Sequence, residues 1–298
     1  MKILCIGKTG QVARALQERL SGYEVDLKCL GRPEADLTHP ERLHDIIKNA
    51  APALVINAAA FTNVDKAESA TEEAFAVNAA GPGRLAEACA DLQLPMIHIS
   101  TDYVFSDSTE RPLLESDPVR GINAYGRSKA AGEAAVRDVL RAHIILRTSW
   151  VYSPFGANFV KTMLRLAAER GSVSVVDDQI GAPTSAFEIA EAIFNIARKL
   201  LSSVPNAEFG TYHFASKGYV SWADVASFIF QLHDSRTGCK THLKRIPSSD
   251  YPTPAQRPRN SRLDTRKITA TFGINPRDWK HGVEEVVNRL LNEKAENA

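Results

Sequence analysis

A short apolar run, a glycine turn and a helical pattern open this chain, and that order admits few folds. Lys2-Ile3-Leu4-Cys5-Ile6 has the length and apolarity of a parallel strand buried on both faces. Gly7-Lys8-Thr9-Gly10-Gln11-Val12-Ala13 follows, after which Val12, Leu16 and Leu20 recur on one helical face. The alternation continues with a strand at Val25–Leu30, a helix at Leu43–Lys48 and a strand at Ala53–Asn57. A long helix at Glu72–Leu92, a strand at Met96–Ser100, a helix at Tyr125–Leu140 and a strand at Ile144–Arg147 come next. Strand and helix in turn require right-handed crossovers, so the chain is expected to be α/β, a Rossmann-type doubly wound parallel sheet. Ligands then bind beyond the carboxyl ends of the strands.

The first turn is where a dinucleotide would lie. Glycines let the backbone approach a pyrophosphate, and the following helix offers unpaired N–H groups and a positive dipole end. The spacing is G-x-x-G-x-x-A, with Ala13 small enough for close helix–strand packing. Asn57-Ala58-Ala59-Ala60 ends the third strand in small residues, leaving room for adenosine or phosphates, although plain packing explains them equally well. Asn78 is a poor helix former inside a helix, placed either to bond a loop near the cofactor or to face solvent. A ribose-binding acid is expected about 20 residues past the turn. Here Cys29-Leu30-Gly31-Arg32 has none; Arg32 instead suits a 2′-phosphate, and Asp36 stands near the adenosine end. That favours NADP over NAD, with NADH still usable.

Tyr125 and Lys129 stand four apart, hence on one face of a helix, where an ammonium can lower a phenol pKa. The spacing alone also fits a solvated helix face. The hydroxyl-bearing strand end Ser100-Thr101-Asp102-Tyr103 just upstream makes an acid–base site the better reading.

Beyond residue 150 the pattern loosens. Pro247, Pro252, Pro254 and Pro258 crowd one segment, bordered by Arg257, Arg259 and Arg262, which excludes a helix or central strand there. Asp278–Leu291 closes the chain as an amphipathic helix. The expected division is a cofactor-binding domain over 1–150 and a mainly substrate-binding lobe over 151–298, with segments near 185–215 returning to the first.

Bulk properties exclude other classes. With 36 Lys and Arg against 35 Asp and Glu, a net charge of +1 offers nothing to nucleic acid or an anionic membrane. No apolar run reaches the roughly 18 residues of a membrane span. Met1-Lys2-Ile3 enters a strand without a signal-peptide layout. Cys5, Cys29, Cys89 and Cys239 are scattered, with no CxxC pair; Cys5 and Cys29 fall in strands and are expected to be buried. This is a reduced, cytoplasmic inventory without a zinc site.

Several stretches together resemble dTDP-4-dehydrorhamnose reductases, which are extended short-chain dehydrogenases/reductases. They are Gly7–Val12, Val55–Ala60 with Thr62, Val64–Glu68, Ser100–Phe105, Tyr125–Lys129, Arg147–Tyr152, Asp178–Thr184 and Arg257–Leu263, and they run from the first strand to the last helix. Tyr-x-x-x-Lys marks only the superfamily, whereas Arg147–Tyr152 with Asp178–Thr184 is far more specific. The resemblance implies NADPH-dependent reduction of a dTDP-4-keto-6-deoxy-hexose to dTDP-L-rhamnose for cell-surface polysaccharide. Another nucleotide-sugar 4-ketoreductase or epimerase, or a non-catalytic NADP-binding regulatory subunit, shares the same fold.

It further implies that Tyr125 donates the proton, that Lys129 holds the nicotinamide ribose and tunes Tyr125, and that Thr101 completes the catalytic set. The cofactor set is then Gly7, Thr9, Gly10, Gln11, Val12, Arg32, Asp36, Leu37, Ala59, Ala60, Phe61, Thr62 and Asn78, with Tyr125 and Lys129. Thr101, Asp102, Trp150, Asn158, Gln179, Arg257 and Arg262 are the implied substrate contacts, with Arg257 or Arg262 suited to bidentate bonds to the diphosphate. Some relatives hold magnesium between subunits with glutamates. Ala15 and Phe187 stand at the matching positions and cannot ligate it. The expectation is therefore no metal, and a monomer or a homodimer without a magnesium bridge.

Overall fold

The computed structural model describes residues 1–107, 109–202 and 208–296, with the side chains of 294–296 left aside. Residues 203–207, inside the segment expected to return to the first domain, and 297–298 lie outside the described residues. The first half runs β1 (Lys2–Ile6), α1 (Gln11–Glu18), β2 (Asp26–Leu30), α2 (Leu43–Ala50), β3 (Leu54–Asn57), α3 (Val64–Ser69), α4 (Thr71–Phe75), α5 (Gly81–Asp91), β4 (Met96–Thr101), α6 (Ala124–Val139) and β5 (His143–Thr148). Then follow β6 (Val151–Tyr152), α7 (Phe159–Glu169), β7 (Ser172–Val176), β8 (Ile180–Gly181), β9 (Thr184–Ser185), α8 (Ala186–Leu200) and β10 (Gly210–His213). The chain ends with β11 (Val220–Ser221), α9 (Trp222–Thr237), β12 (His242–Ile246), β13 (Asn260–Ser261), α10 (Arg266–Phe272) and α11 (Trp279–Glu296).

Six strands form one sheet in the order β2-β1-β3-β4-β5-β10, every neighbouring pair parallel. The doubly wound α/β reading is correct. The order reverses between β1 and β3, and a crevice opens outside the carboxyl ends of the strands at such a switch point. Alternation along β1 sends Ile3 and Cys5 into one core and Leu4 and Ile6 into the other. The first core lies under α1, α7, α8, α9 and α11, the second under α2, α5 and α6. All six residues of β5 are buried, as a central parallel strand requires. Smaller ladders β11-β8-β13, β12-β7 and β6-β9 stand outside this sheet, while β10 joins it beside β5.

Two local expectations need correction. The long helix read over Glu72–Leu92 is interrupted by a π-helical turn at Ala76–Ala80. Pro82 is the physical cause: it has no N–H for the preceding turn and its ring crowds the carbonyl four residues back, so the helix widens. Cys29 is only half-buried, although its register partner Cys5 is fully buried, because β2 is the edge strand.

Candidate functional site

The β1–α1 turn is built for close approach. Gly7 has φ +121°, and a Cβ there would lie 3.0 Å from the Ala58 carbonyl carbon. Glycine therefore lets the tips of β1 and β3 touch at the switch point. Gly10 occupies the N-cap of α1 without a side-chain cap, so the first helical N–H groups remain available to an anion. Thr9 is exposed beside it. Gln11 ties this turn to the second half of the chain. Its Oε1 accepts from Ser153 Oγ (2.8 Å) and Asn158 Nδ2 (3.0 Å), and its Nε2 donates to the Val151 carbonyl (3.4 Å).

At the β2 edge Arg32 is exposed and its guanidinium has no hydrogen bond or ion pair among the described residues. Asp36 Oδ1 accepts from the Thr38 N–H (2.9 Å) and hydroxyl (2.8 Å). Burial pushes its carboxyl up, but those bonds and the charges of Arg32 and His39 more than reverse that and hold it low. The Leu37 side chain is buried in the second core. After β3, Ala59 and Ala60 are half-buried and Thr62 exposed. Phe61 is clamped by the fully buried Asn78, whose Oδ1 accepts from Phe61 N–H (2.8 Å) and whose Nδ2 donates to Phe61 O (3.0 Å) and Ser128 Oγ (3.0 Å). Its seat in the π turn aims Asn78 at the β3 loop and α6 rather than at solvent.

Thr101, Asp102, Tyr125 and Lys129 come together where β4 ends and α6 begins. Asn123 caps α6, accepting from Gly126 N–H (2.7 Å) and donating to the Gln256 carbonyl (2.8 Å), so the proline-rich segment lies against the helix that carries Tyr125. Tyr125 is half-buried, its ring edge-on to Tyr103 at 5.6 Å. Burial raises its phenol pKa; a Thr101 hydrogen bond opposes this and the Asp102 charge adds to it. The expected direct lowering of the phenol by Lys129 is therefore corrected. The ammonium is buried and donates instead to the Ile99 carbonyl (2.7 Å). Burial brings Lys129 down to about 8, with Glu133 working against the fall.

Asp102 is 2% exposed. Its Oδ1 accepts from Thr101 Oγ1 (2.9 Å), whereas Oδ2 is buried with no partner among the described residues. Burial pushes this carboxyl up to about 6, with Ser261 and Thr101 opposing the rise. A raised folded-state value means that stability falls as pH rises from the ordinary carboxylate range through about 6. Asp102→Asn is thus expected to stabilise the protein by about 2–3 kcal/mol at pH 8 and by little near pH 4. Urea unfolding at the two pH values checks this, and an equal difference at both would refute it.

The remaining residues are dispersed more widely. Trp150 adopts φ +50°, unusual for a bulky residue, and stacks on Trp222 at 3.6 Å with an interplanar angle of 10°. Phe159 extends that aromatic block, its ring 4.4 Å from Trp222. Asn158 serves as the N-cap of α7 and spends its amide on Gln11, Ser153 and Phe155. Gln179 is buried and donates to Ser248 Oγ (2.9 Å). Arg257 pairs with Asp65 (2.7 Å) and donates to the Ala255 carbonyl; Arg262 donates to Asn260 Oδ1 and the Glu110 carbonyl. Both guanidiniums are engaged within the protein, whereas the Arg259 side chain is exposed. A cavity of about 460 Å³ between α8 and the 272–277 turn contains none of these residues.

Sequence reasoning did not single out Glu133 or Trp222, and reached Asp65 and Ser261 only as members of the Val64–Glu68 and Arg257–Leu263 stretches. Glu133 carried one usable signal, its place one turn after Lys129. The others meet the site only through tertiary contacts.

A parallel sheet with a glycine turn at its switch point, and Thr, Tyr and Lys at the carboxyl end of β4, define an oxidoreductase of the short-chain dehydrogenase/reductase type. A family model described as the RmlD substrate binding domain matches residues 1–292. The chain belongs to the dTDP-4-dehydrorhamnose reductase family. It is 45% identical to a dTDP-4-dehydrorhamnose reductase of Sinorhizobium fredii over 98% of this chain and 99% of that one. A dTDP-4-dehydrorhamnose reductase crystal structure from Clostridium acetobutylicum superposes with a TM-score of 0.90 at 35% identity, covering 98% and 100% of the two chains. That from Bacillus anthracis, in complex with NADP, gives 0.89 at 32% identity over 97% and 99%.

Proposed function

We propose that this protein reduces the 4-keto group of dTDP-4-dehydro-L-rhamnose to give dTDP-L-rhamnose, using NADPH. The observation that carries the reading is the convergence of Thr101, Tyr125 and Lys129 at the carboxyl end of β4, in a chain of this family. The turn at Gly7–Val12 fits a dinucleotide, since its glycines admit close approach and the start of α1 is uncapped. Gly7, Thr9, Gly10, Gln11 and Val12 would hold the pyrophosphate, Arg32 and Asp36 the adenosine end, and Ala59–Thr62 the wall of the crevice. NADPH bound there supplies a hydride. Tyr125 keeps its proton at neutral pH because burial raises its pKa, which suits a proton donor. As a C–H bond forms at C4 and the C=O π bond breaks, the oxygen takes the phenolic proton. Thr101 orients Tyr125, and Lys129 completes the set from beneath. The buried, unpartnered Oδ2 of Asp102 is an acceptor for a sugar hydroxyl. Gln179 and the 257–262 segment fall in the proposed substrate lobe over 151–298, and Trp150 ends the proposed cofactor domain over 1–150 beside it. The test is NADPH oxidation by the purified protein with enzymatically made dTDP-4-dehydro-L-rhamnose; no turnover would overturn the reading.

Arg32 is proposed to select NADPH. Among the described residues its guanidinium has no hydrogen bond or ion pair to give up, only the weaker pull of the Asp36 charge, so a 2′-phosphate gains most of the interaction. A charge-assisted bond of this kind is worth on the order of 1.5–3 kcal/mol, about ten- to a hundredfold in affinity. NADPH should exceed NADH by that factor in kcat/KM and in binding affinity measured by nucleotide fluorescence, and added salt should narrow the gap. Arg32→Ala is expected to erase most of it. An unchanged ratio in that variant would leave Arg32 a surface residue.

No helix of the described residues is long and apolar enough to cross a membrane. We place the enzyme in the cytoplasm, as a monomer or a homodimer without a magnesium bridge. Ala15 is fully buried and Phe187 nearly so, with the Arg19 guanidinium 4.4 Å over the Phe187 ring; an apolar pair beneath a cation cannot hold magnesium. Activity should persist after exhaustive EDTA treatment, and loss restored by magnesium alone would contradict this.

A further inference from the structure

We propose that Glu133 is a positioning residue for this reaction, locking the ends of β4 and β5 to α6 and supplying the negative charge that keeps the buried Lys129 an ammonium. Glu133 is fully buried one helical turn after Lys129. Its Oε1 accepts from Ser100 Oγ at 2.6 Å and Arg147 Nε at 2.8 Å; its Oε2 accepts from Arg147 Nη2 at 2.6 Å and Arg137 Nη1 at 3.1 Å. Ser100 and Arg147 are register partners on β4 and β5, immediately before Thr101 and Thr148. One carboxylate thus gathers three elements directly behind Thr101, Tyr125 and Lys129. Such a clamp holds the reacting hydroxyls at fixed separation, and small misplacements there are costly.

The charges around it define the electrostatic role. On α6 the neighbours are Lys129 and the half-exposed Arg137. From β5 comes Arg147, and from β10 His213, whose Nε2 lies 3.4 Å from Arg147 Nη1. Burial holds His213 down to about 3, and it keeps His98 on β4 well below its ordinary value, so neither is a cation at neutral pH. Glu115 faces Arg147 through its backbone carbonyl and accepts the His213 N–H on its carboxylate. Glu133 is held below the usual carboxylate range: burial pushes it up, but Arg147, Ser100 and Arg137 outweigh that. It stays charged and counters the desolvation of Lys129.

The inference rests on the proposed reductase activity for its kinetic arm but not for its direct one. With ¹³Cε-lysine-labelled apoprotein, the Lys129 resonance, assigned by Lys129→Arg, should titrate near 8 in the wild type. Glu133→Gln preserves the side-chain shape and is expected to lower that midpoint by about one unit. Arg137→Gln removes the half-exposed cation while Arg147 still holds Glu133 ionised, and should raise it. The alkaline limb of kcat/KM should follow in the same two directions. If only one variant folds, its shift alone decides. No shift, or a shift of the same sign in both, overturns the proposal. Absent turnover by the wild type would instead overturn the reductase reading, leaving the titration result standing.

Discussion

Tyr125→Phe is expected to reduce kcat by a hundredfold or more while leaving NADPH affinity nearly unchanged. General acid catalysis by a positioned side chain contributes roughly 10²–10⁴-fold, and phenylalanine removes only the transferable proton. Tyr125 is half-buried and stacks edge-on against Tyr103, so the ring carries the packing and its loss would confound the measurement. Phenylalanine keeps that ring. Thr101 acts on the phenol, and keeps its bond to Asp102 Oδ1 when the phenol is gone. The structural cost is therefore at most that of one partly exposed hydrogen bond, about 1 kcal/mol, too little to unfold the chain. Burial also raises the phenol pKa, so the wild type should not lose activity through phenol ionisation at mildly alkaline pH. Any alkaline limb belongs to Lys129, near 8. Steady-state kinetics and fluorescence titration of NADPH measure the two quantities. A kcat within a few fold of wild type would remove Tyr125 from the acid role.

The parts of this molecule legible in its sequence are those that local chemistry determines. β1, β3, β4 and β5 are short apolar runs buried on both faces, and nothing but a central parallel strand accommodates them. Gly7 betrays a turn because only glycine tolerates its φ and its contact with Ala58. The second half was less readable because β6, β8, β9, β11 and β13 have two residues each and no period to detect. In the site, Tyr125 and Lys129 were visible through spacing, and Thr101 through the resemblance of Ser100–Phe105 to the family. Glu133 was not, since a glutamate on a helix ordinarily faces water, and its burial is decided by Ser100 and Arg147, 33 and 14 residues away. Trp150 shows the same limit from the backbone side. No local rule puts a tryptophan at φ +50°; stacking on Trp222, 72 positions later, accompanies it. Asn158, Arg257 and Arg262 were recognisable as polar groups near the site, but their partners, and hence their engagement within the protein, became apparent only in three dimensions.

Gly132→Ala should destabilise the protein severely, although helix propensity alone argues the reverse. Alanine in a helix interior is favoured over glycine by about 1 kcal/mol. At Gly132, however, a Cβ would lie 1.9 Å from the backbone oxygen of Asn78. An ordinary carbon–oxygen contact needs well over an ångström more, and neither partner is a flexible side-chain tip. Either α6 or the π turn at Ala76–Ala80 must move. Overpacking of a rigid interior costs typically 1–3 kcal/mol. Displacing Asn78 adds the loss of its bonds to the Phe61 backbone and to Ser128, each worth about 1 kcal/mol or more when a buried partner is left unsatisfied. The sum outweighs the propensity gain, giving a net loss of about 3–5 kcal/mol, or roughly a hundred- to a few thousandfold in the folding equilibrium. Because Phe61 lines the proposed cofactor crevice, the KM for NADPH should rise in whatever fraction remains folded. Urea unfolding with an unchanged m-value measures the first effect, and kinetics at low temperature the second. A stability equal to or above wild type would mean that α6 and the π turn separate freely, and that the Asn78 clamp does not hold the Phe61 loop in place.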